Sequence, residues 1–309
     1  MPGAIGVIFV MVAAGEFLVG GFANGFIGLV NFMDWVKTGR MSSMDLILTA
    51  LAISRILLLG SLTSIIIMLN FFLGSYDSGK VRYFQLIWNF SNHLSAWFGT
   101  CLSIFYFLKI SSFSHPVFLW LKWRVDKVVL RMICICLLIA LLVNLLLKEK
   151  ITEIYSINAV PGNKTNGTQE MQITKCLHFF TLILYFMGGF VPLIFSLISC
   201  FLLVFSLWRH TQQMQGSGST SRDSSTEVHK KTMKSMVSFL FLFLLYHVGI
   251  IMASLSYALF ESLLPVIFSM IITAIYPMAH SLILIQMNSK LRQASLRILG
   301  QLKPCPQGI

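Results

Sequence analysis

The sequence predicts an all-α fold: a seven-transmembrane helix bundle with its N-terminus extracellular and its C-terminus cytoplasmic, forming one domain over residues 1–309. Three observations lead there. Apolar residues make up 56 % of the chain and charged residues only 11 %, with a mean hydropathy of +0.80, whereas a soluble domain carries about a quarter charged residues. Apolar runs of about 20 residues, the length that crosses bilayer hydrocarbon as a helix, recur at 5–33, 46–73, 84–108, 128–147, 178–207, 235–260 and 264–287. They are too long to be the alternating segments of about 10 residues that build a barrel. Finally, with the N-terminus outside, 16 of the 23 Lys and Arg residues fall on inner segments and 6 on outer ones, with Arg55 in mid-span. Cytoplasmic loops carry that excess.

Span 1 contains Glu16 and Asn24 and lacks the basic leader and small-residue cleavage site of a signal peptide, so it reads as a retained helix. Glu16, near the outer third, lines a cavity or lies at the interface, since ionisable groups at membrane depth avoid lipid. A short inner turn, Asp34-Trp35-Val36-Lys37, follows. Span 2 holds Arg55 about a third of the way in from the cytoplasmic end. An arginine there costs at least about 2.5 kcal/mol unless it finds partners. Asn24 at similar depth is the expected acceptor, with a serine or carbonyl of span 7 as another. Asn24 and Arg55 are thus expected to form a structural polar knot rather than a transport site, because no carboxylate lies at matching depth.

Span 3 is the most informative. Trp88, Asn92 and Ser95 share one helical stripe, with Asn89 and His93 beside it. The stripe is too polar for lipid and too poor in charge for an ion path. It suits either a pocket for small organic ligands or hydrogen-bonding contacts between helices. The span leaves the membrane through the basic, aromatic stretch HPVFLWLKWR, expected to continue the same helix. In span 4, Cys134, Cys136 and Asn144 read as buried packing residues. Span 5 carries Gly188-Gly189 and Pro192, which mark a kink or a close helix approach. Residues 208–230, rich in Gly and Ser, read as a flexible inner loop. Span 6 places Tyr246 and His247 near mid-depth. In span 7 Pro277 interrupts the helix above His280-Ser281. The cytoplasmic tail, about 288–309, opens with a short amphipathic helix carrying Leu291, Leu296 and Leu299 against Lys290, Arg292 and Arg297.

The long outer loop holds two N-glycosylation acceptors, at Asn163 and Asn166. Of six cysteines only Cys176 lies near the outer surface, so an outer disulfide lacks a second partner. No metal spacing, phosphate loop or nucleophile elbow occurs, and no cofactor is expected. The chain does not read as an enzyme. A transporter would need an ion pathway and usually internal repeats, neither of which is legible. The net charge of +12 fits anionic membrane lipid or an acidic partner at the inner face, not nucleic acid.

Several strings carry a resemblance. LAISR (51–55), FGTCLSIFYFLKI (98–110), HPVFLWLKWR (115–124), SLWRH (206–210), SRDSSTEVHKK (221–231), HSLILI (280–285) and NSKLRQA (288–294) look like the type 2 taste receptors, the bitter receptor family, in order and over nearly the whole chain. The span-3 end, Tyr106-Phe-Leu-Lys109, stands where rhodopsin-like receptors have Asp-Arg-Tyr. The resemblance implies a plasma-membrane G-protein-coupled receptor for small bitter agonists, acting through a gustducin-type heterotrimer. It implies a ligand cavity among spans 3, 5, 6 and 7, with Trp88, Asn89, Asn92, His93, Tyr246, Met270 and Thr273 as ligand-binding residues. Met270 stands where some relatives carry an acidic residue, which argues against a strong preference for cationic ligands. Tyr106, Lys109, His115, Arg209, His210 and Lys231 are the implied G-protein contacts.

Overall fold

The computed structural model describes residues 4–71, 78–111, 113–158, 186–215, 224–259 and 264–301. Among them the chain is almost wholly helical: α1 (Ala4–Thr38), α2 (Ser43–Phe71), α3 (Ser78–Ile110), α4 (Pro116–Trp123), α5 (Val125–Asn158), a π-helical turn (Phe186–Phe190), α6 (Val191–Gln215), α7 (Ser224–Leu259), α8 (Leu264–Met287) and α9 (Ser289–Gln301). Spans 1 to 3 correspond to α1 to α3, span 4 to α5, and spans 5 to 7 to α6 to α8.

Among the described residues six helices are long and apolar enough to cross a bilayer: α1, α2, the stretch Val125–Glu149 of α5, Gly188–Arg209, Met233–Ala253 and α8. Helix α3 is the exception. It is longer than most of them, but Lys80, Arg82, Lys109 and the polar cluster around Asn92 dilute its apolar character. The fold gives it a different place. Helix α3 packs against α2, α5, α6, α7 and the π turn, so its polar groups face protein rather than hydrocarbon. Leu94, Phe98, Cys101, Leu102, Phe105 and Leu108 join residues of α2 and α5 in the largest apolar cluster. Helix α5, by contrast, carries Leu138, Leu142 and Leu145 exposed on its outer face, as a helix in contact with lipid should.

Several local expectations are revised. Helix α1 runs through Asp34–Lys37, and the chain turns only at Gly39, whose φ of +64° suits glycine. Helix α3 ends at Ile110 and a separate helix begins at Pro116, a residue well suited to a helix start because it needs no N–H partner there. The inner segment 208–230 is helical to Gln215 and again from Ser224; residues 216–223 lie outside the described residues. Pro277 sits inside α8 without ending it. Cys136 is buried, but Cys134 is exposed on the outer face of α5. Asn144, half-buried, donates its Nδ2 to the Ala140 carbonyl at 2.9 Å, and its Oδ1 has no partner among the described residues. Glu16 lies on the buried face of α1, with its Oε2 unpartnered.

Candidate functional site

An arginine in a helix bundle must hydrogen-bond inside the protein, and this requirement organises the inner half of the bundle. Arg55 is wholly buried. Its guanidinium donates to Ser281 Oγ at 3.0 Å and to His280 Nδ1 at 2.6 Å. Ser281 Oγ is also 2.8 Å from Asn24 Oδ1, and Asn24 in turn donates to the Gly20 carbonyl at 2.7 Å. Asn24 and Arg55 are therefore joined through Ser281 rather than bonded directly. Tyr276 completes the cluster, its ring centroid 5.0 Å from the arginine Cζ. With Nδ1 accepting from Arg55, His280 is neutral and carries its proton on Nε2.

From this cluster a column of aromatic rings rises between α7 and α8. Tyr276 lies 5.5 Å from Tyr246 and 5.4 Å from Phe243 between ring centroids. Phe243 stacks on Phe239 at 5.3 Å, and Phe239 is 5.0 Å from His280. At the top of the column the Tyr246 hydroxyl donates to Asn92 Oδ1 on α3. Sequence reading singled out Tyr246 and Asn92 but missed Tyr276 and Phe243. The spacing of Tyr276 and His280, one helical turn apart, is the signal that places both on one face.

The remaining candidate residues fall in four places. Trp88 and Met270 pack in one apolar cluster with Leu58, Leu59, Leu62, Ala274 and Phe17, in which the Trp88 indole N–H lacks a partner. His93 is buried against the π turn, where a Cβ on Gly188 would lie 3.1 Å from its Nδ1; a Cβ on Gly189 would lie 3.2 Å from His247 Nε2. The glycine pair allows the turn to reach both histidines, and Thr100 Oγ1 fastens it from α3 through the Pro192 carbonyl at 3.1 Å. Thr273 faces the α7–α8 seam, its hydroxyl bonded to the Ser269 carbonyl at 2.8 Å and pressed towards Gly249. Asn89 is half-buried on the neighbouring face of α3.

Buried polar groups usually find partners, yet Trp88 Nε1, His93 Nε2, Ser95 Oγ and Trp97 Nε1 of α3 have none among the described residues. These four leave α3 with unspent hydrogen-bonding capacity on more than one side. Deeper in, Gly99, Ser103, Tyr106, Ser235, Phe239 and His280 line a crevice of roughly 10 Å³, space for about one water. Among the described residues no three His, Cys, Asp or Glu converge on a metal position.

At the inner end, Lys109 is exposed over the Phe105 ring at 5.8 Å, and Tyr106 is half-buried beside the crevice. His115 precedes α4 and Arg209 is exposed on the last turns of α6. The side chains of His210 and Lys231 lie outside the described residues, as do Asn163 and Asn166. Lys290, just past α8, reaches Asp34 at 2.7 Å and Asp45 at 3.0 Å. Burial opposes its charge, but the hydrogen bonds to the two carboxylates outweigh burial and hold its pKa above the ordinary lysine value.

Such an arrangement defines a helical membrane protein whose core is a continuous aromatic and polar network. The chain belongs to the taste receptor type 2 family, the bitter receptor family of G-protein-coupled receptors: the taste receptor protein (TAS2R) profile matches residues 1–303. It is 45 % identical to taste receptor type 2 member 7 of Papio hamadryas over 288 residues, covering 93 % of this chain and 91 % of that one. It is 44 % identical to taste receptor type 2 member 8 of Homo sapiens over 294 residues, covering 94 % and 95 %. To member 7 of Mus musculus it is 42 % identical over 299 residues, covering 96 % of each.

Proposed function

We propose that this chain detects small bitter compounds at the plasma membrane and passes the signal to a gustducin-type heterotrimeric G protein. In this reading residues 1–309 form one heptahelical domain, with α3 as the seventh span, the N-terminus outside and the C-terminus inside. The surplus of cationic residues on the inner segments supports the orientation, and Asn163 and Asn166 would be glycosylated on the outer loop. The agonist occupies the space among α3, α6, α7 and α8, meeting Trp88, Asn89, Asn92, His93, Tyr246, Met270 and Thr273. Tyr106, Lys109, His115, Arg209, His210 and Lys231 face the G protein.

The observation that carries the ligand site is the set of unpartnered buried donors on α3, beside the Tyr246–Asn92 bond. A ligand with hydrogen-bonding groups and an apolar body gains from both. Its binding must favour one helix arrangement over another, because equal affinity for the two shifts nothing. An agonist that competes for Asn92 releases the Tyr246 hydroxyl. The aromatic column then offers a packed route to the Arg55 cluster and the inner ends of α3, α6 and α7.

The test is calcium imaging of cells expressing this chain with a chimeric gustducin-type α subunit, challenged with a panel of bitter compounds. The expected result is a response that vanishes without the α subunit. A current or flux independent of the α subunit would overturn the reading.

A further inference from the structure

We infer that α4 and the inner end of α5 form a binding surface for the headgroup of an anionic phospholipid. Arg124, Lys127 and Arg131 carry the charge, and Trp120 and Trp123 act as interface anchors. The inference rests on the proposed orientation only in assigning this surface to the inner leaflet.

The argument begins with the outer face of α5. Lys127, Arg131, Cys134, Leu138 and Leu145 share one stripe at helical spacing. All five are exposed, with Leu138 at 60 % and Leu145 at 62 %. Leucines so exposed on a membrane helix face lipid, and the same stripe turns cationic at its inner end. Lys127 and Arg131 therefore lie at headgroup level on the lipid side of the bundle. Neither has a hydrogen bond or ion pair among the described residues.

Helix α4 extends this surface. Phe118 is buried against Phe107 and Phe113, with ring centroids 5.4 and 5.3 Å away, and Lys122 is tied to the Ser111 carbonyl at 2.7 Å. Those contacts hold α4 in place, while Trp120 is 50 % and Trp123 87 % exposed. Arg124 lies over the Trp120 ring at 5.2 Å. Exposed tryptophans beside cations are the residues found at the membrane–water interface.

Charge decides which lipid. Between Arg124 and Lys148 the chain has one acid, Asp126, and that carboxylate is occupied by Ser43 Oγ of α2 at 2.5 Å. Three cations against that single carboxylate leave this surface net positive, and neither Lys127 nor Arg131 forms an ion pair among the described residues. A zwitterionic headgroup would bring its own ammonium to them, whereas an anionic one supplies the missing charge. Each cation near an anionic membrane surface is worth about fivefold in binding.

The full chain would be reconstituted in nanodiscs of equal phosphatidylserine and phosphatidylcholine, and the lipids it retains on release counted by native mass spectrometry. Preferential retention of phosphatidylserine is expected, and K127Q/R131Q should reduce the preference about 25-fold. The single variants K127Q and R131Q should each reduce it about fivefold, and W123A should lower retention of both lipids. Equal retention of the two lipids by the unaltered chain would overturn the inference. So would a preference that survives K127Q/R131Q but is lost in R292Q/R297Q on α9. A preference unchanged in K127Q/R131Q while its G-protein response disappears would assign these cations to a protein partner instead. Because lipid retention requires neither agonist nor G protein, failure of the receptor reading would leave this result standing.

Discussion

At the scale of single residues, the buried polar groups of this chain do two kinds of work. Those around Arg55 are largely bonded: the guanidinium has an oxygen and a ring nitrogen in reach, and Ser281 passes the connection to Asn24, while Arg55 Nε and the Tyr276 hydroxyl have no hydrogen-bond partner among the described residues. Ser281→Ala removes an acceptor from a buried charged donor. It is expected to destabilise the fold by about 2 kcal/mol, read as a lower thermal midpoint of the purified protein. Those on α3 are less settled. Trp88 combines an apolar packing surface shared with Leu59 and Met270 with an N–H that lacks a partner. Trp88→Ala is expected to weaken the agonist response at least about tenfold, a loss typical of a principal contact residue, while surface expression is retained. Loss of surface expression in its place would assign the indole to packing.

At the scale of elements, close approach sets the limits. Helices α7 and α8 meet where Gly249 faces Thr273: a Cβ there would lie 2.7 Å from Thr273 Oγ1 and 3.3 Å from the Ser269 carbonyl oxygen. Gly249→Ala is expected to push the helices apart and cost roughly 1–3 kcal/mol, visible as reduced thermal stability. Helix α9 is held at its other extreme by few contacts: Leu291 is buried, the Leu291 N–H caps on Asn288 Oδ1 at 3.2 Å, and Lys290 binds Asp34 and Asp45. Because the pKa of Lys290 is raised on folding, its contribution is complete below the ordinary lysine value of about 10.4. It is lost only as pH rises through the higher folded value. Lys290→Gln should therefore speed amide exchange across Ser289–Gln301 equally at about pH 6 and about pH 9, the difference from the unaltered chain closing only in stronger alkali.

At the scale of the whole molecule, the aromatic column joins the ligand region proposed above to the Arg55 cluster. Tyr276 is its central member, in reach of Tyr246 above and Arg55 below. If the column carries the change, Tyr276→Leu should lower the maximal response at saturating agonist more than it lowers apparent affinity, measured as calcium release per receptor at the surface. An unaltered maximum would remove the column from the mechanism. The magnitudes are demanding: to turn a bundle from 1 % to 99 % active, an agonist must prefer the active arrangement by about 10⁴-fold. A rigid stack that excludes intermediate positions is suited to such a two-state change.

Composition and local pattern were sufficient for much of this description. Hydropathy determined the membrane class and the approximate positions of the long apolar helices, because a span must be apolar over about 20 residues whatever its neighbours are. The cost of burying Arg55 required polar partners near Asn24 and span 7 before any partner could be named. The strings from LAISR to NSKLRQA pointed to the family, which the relatives then established. Only the tertiary structure decided the rest. The choice of Ser281 and His280 as the acceptors depends on how α2 and α8 are rotated against each other. The turn of Thr273 towards Gly249 depends on their near contact with α7, and the exposure of Cys134 on the rotation of α5. Helix ends moved as well: α1 runs past Asp34 and α3 stops before Pro116, because termini are set by capping and contacts that hydropathy does not report. Chain pattern dictates which residues must be buried, but which buried group meets which is settled by helix rotation and close packing, and these are properties of the assembled bundle.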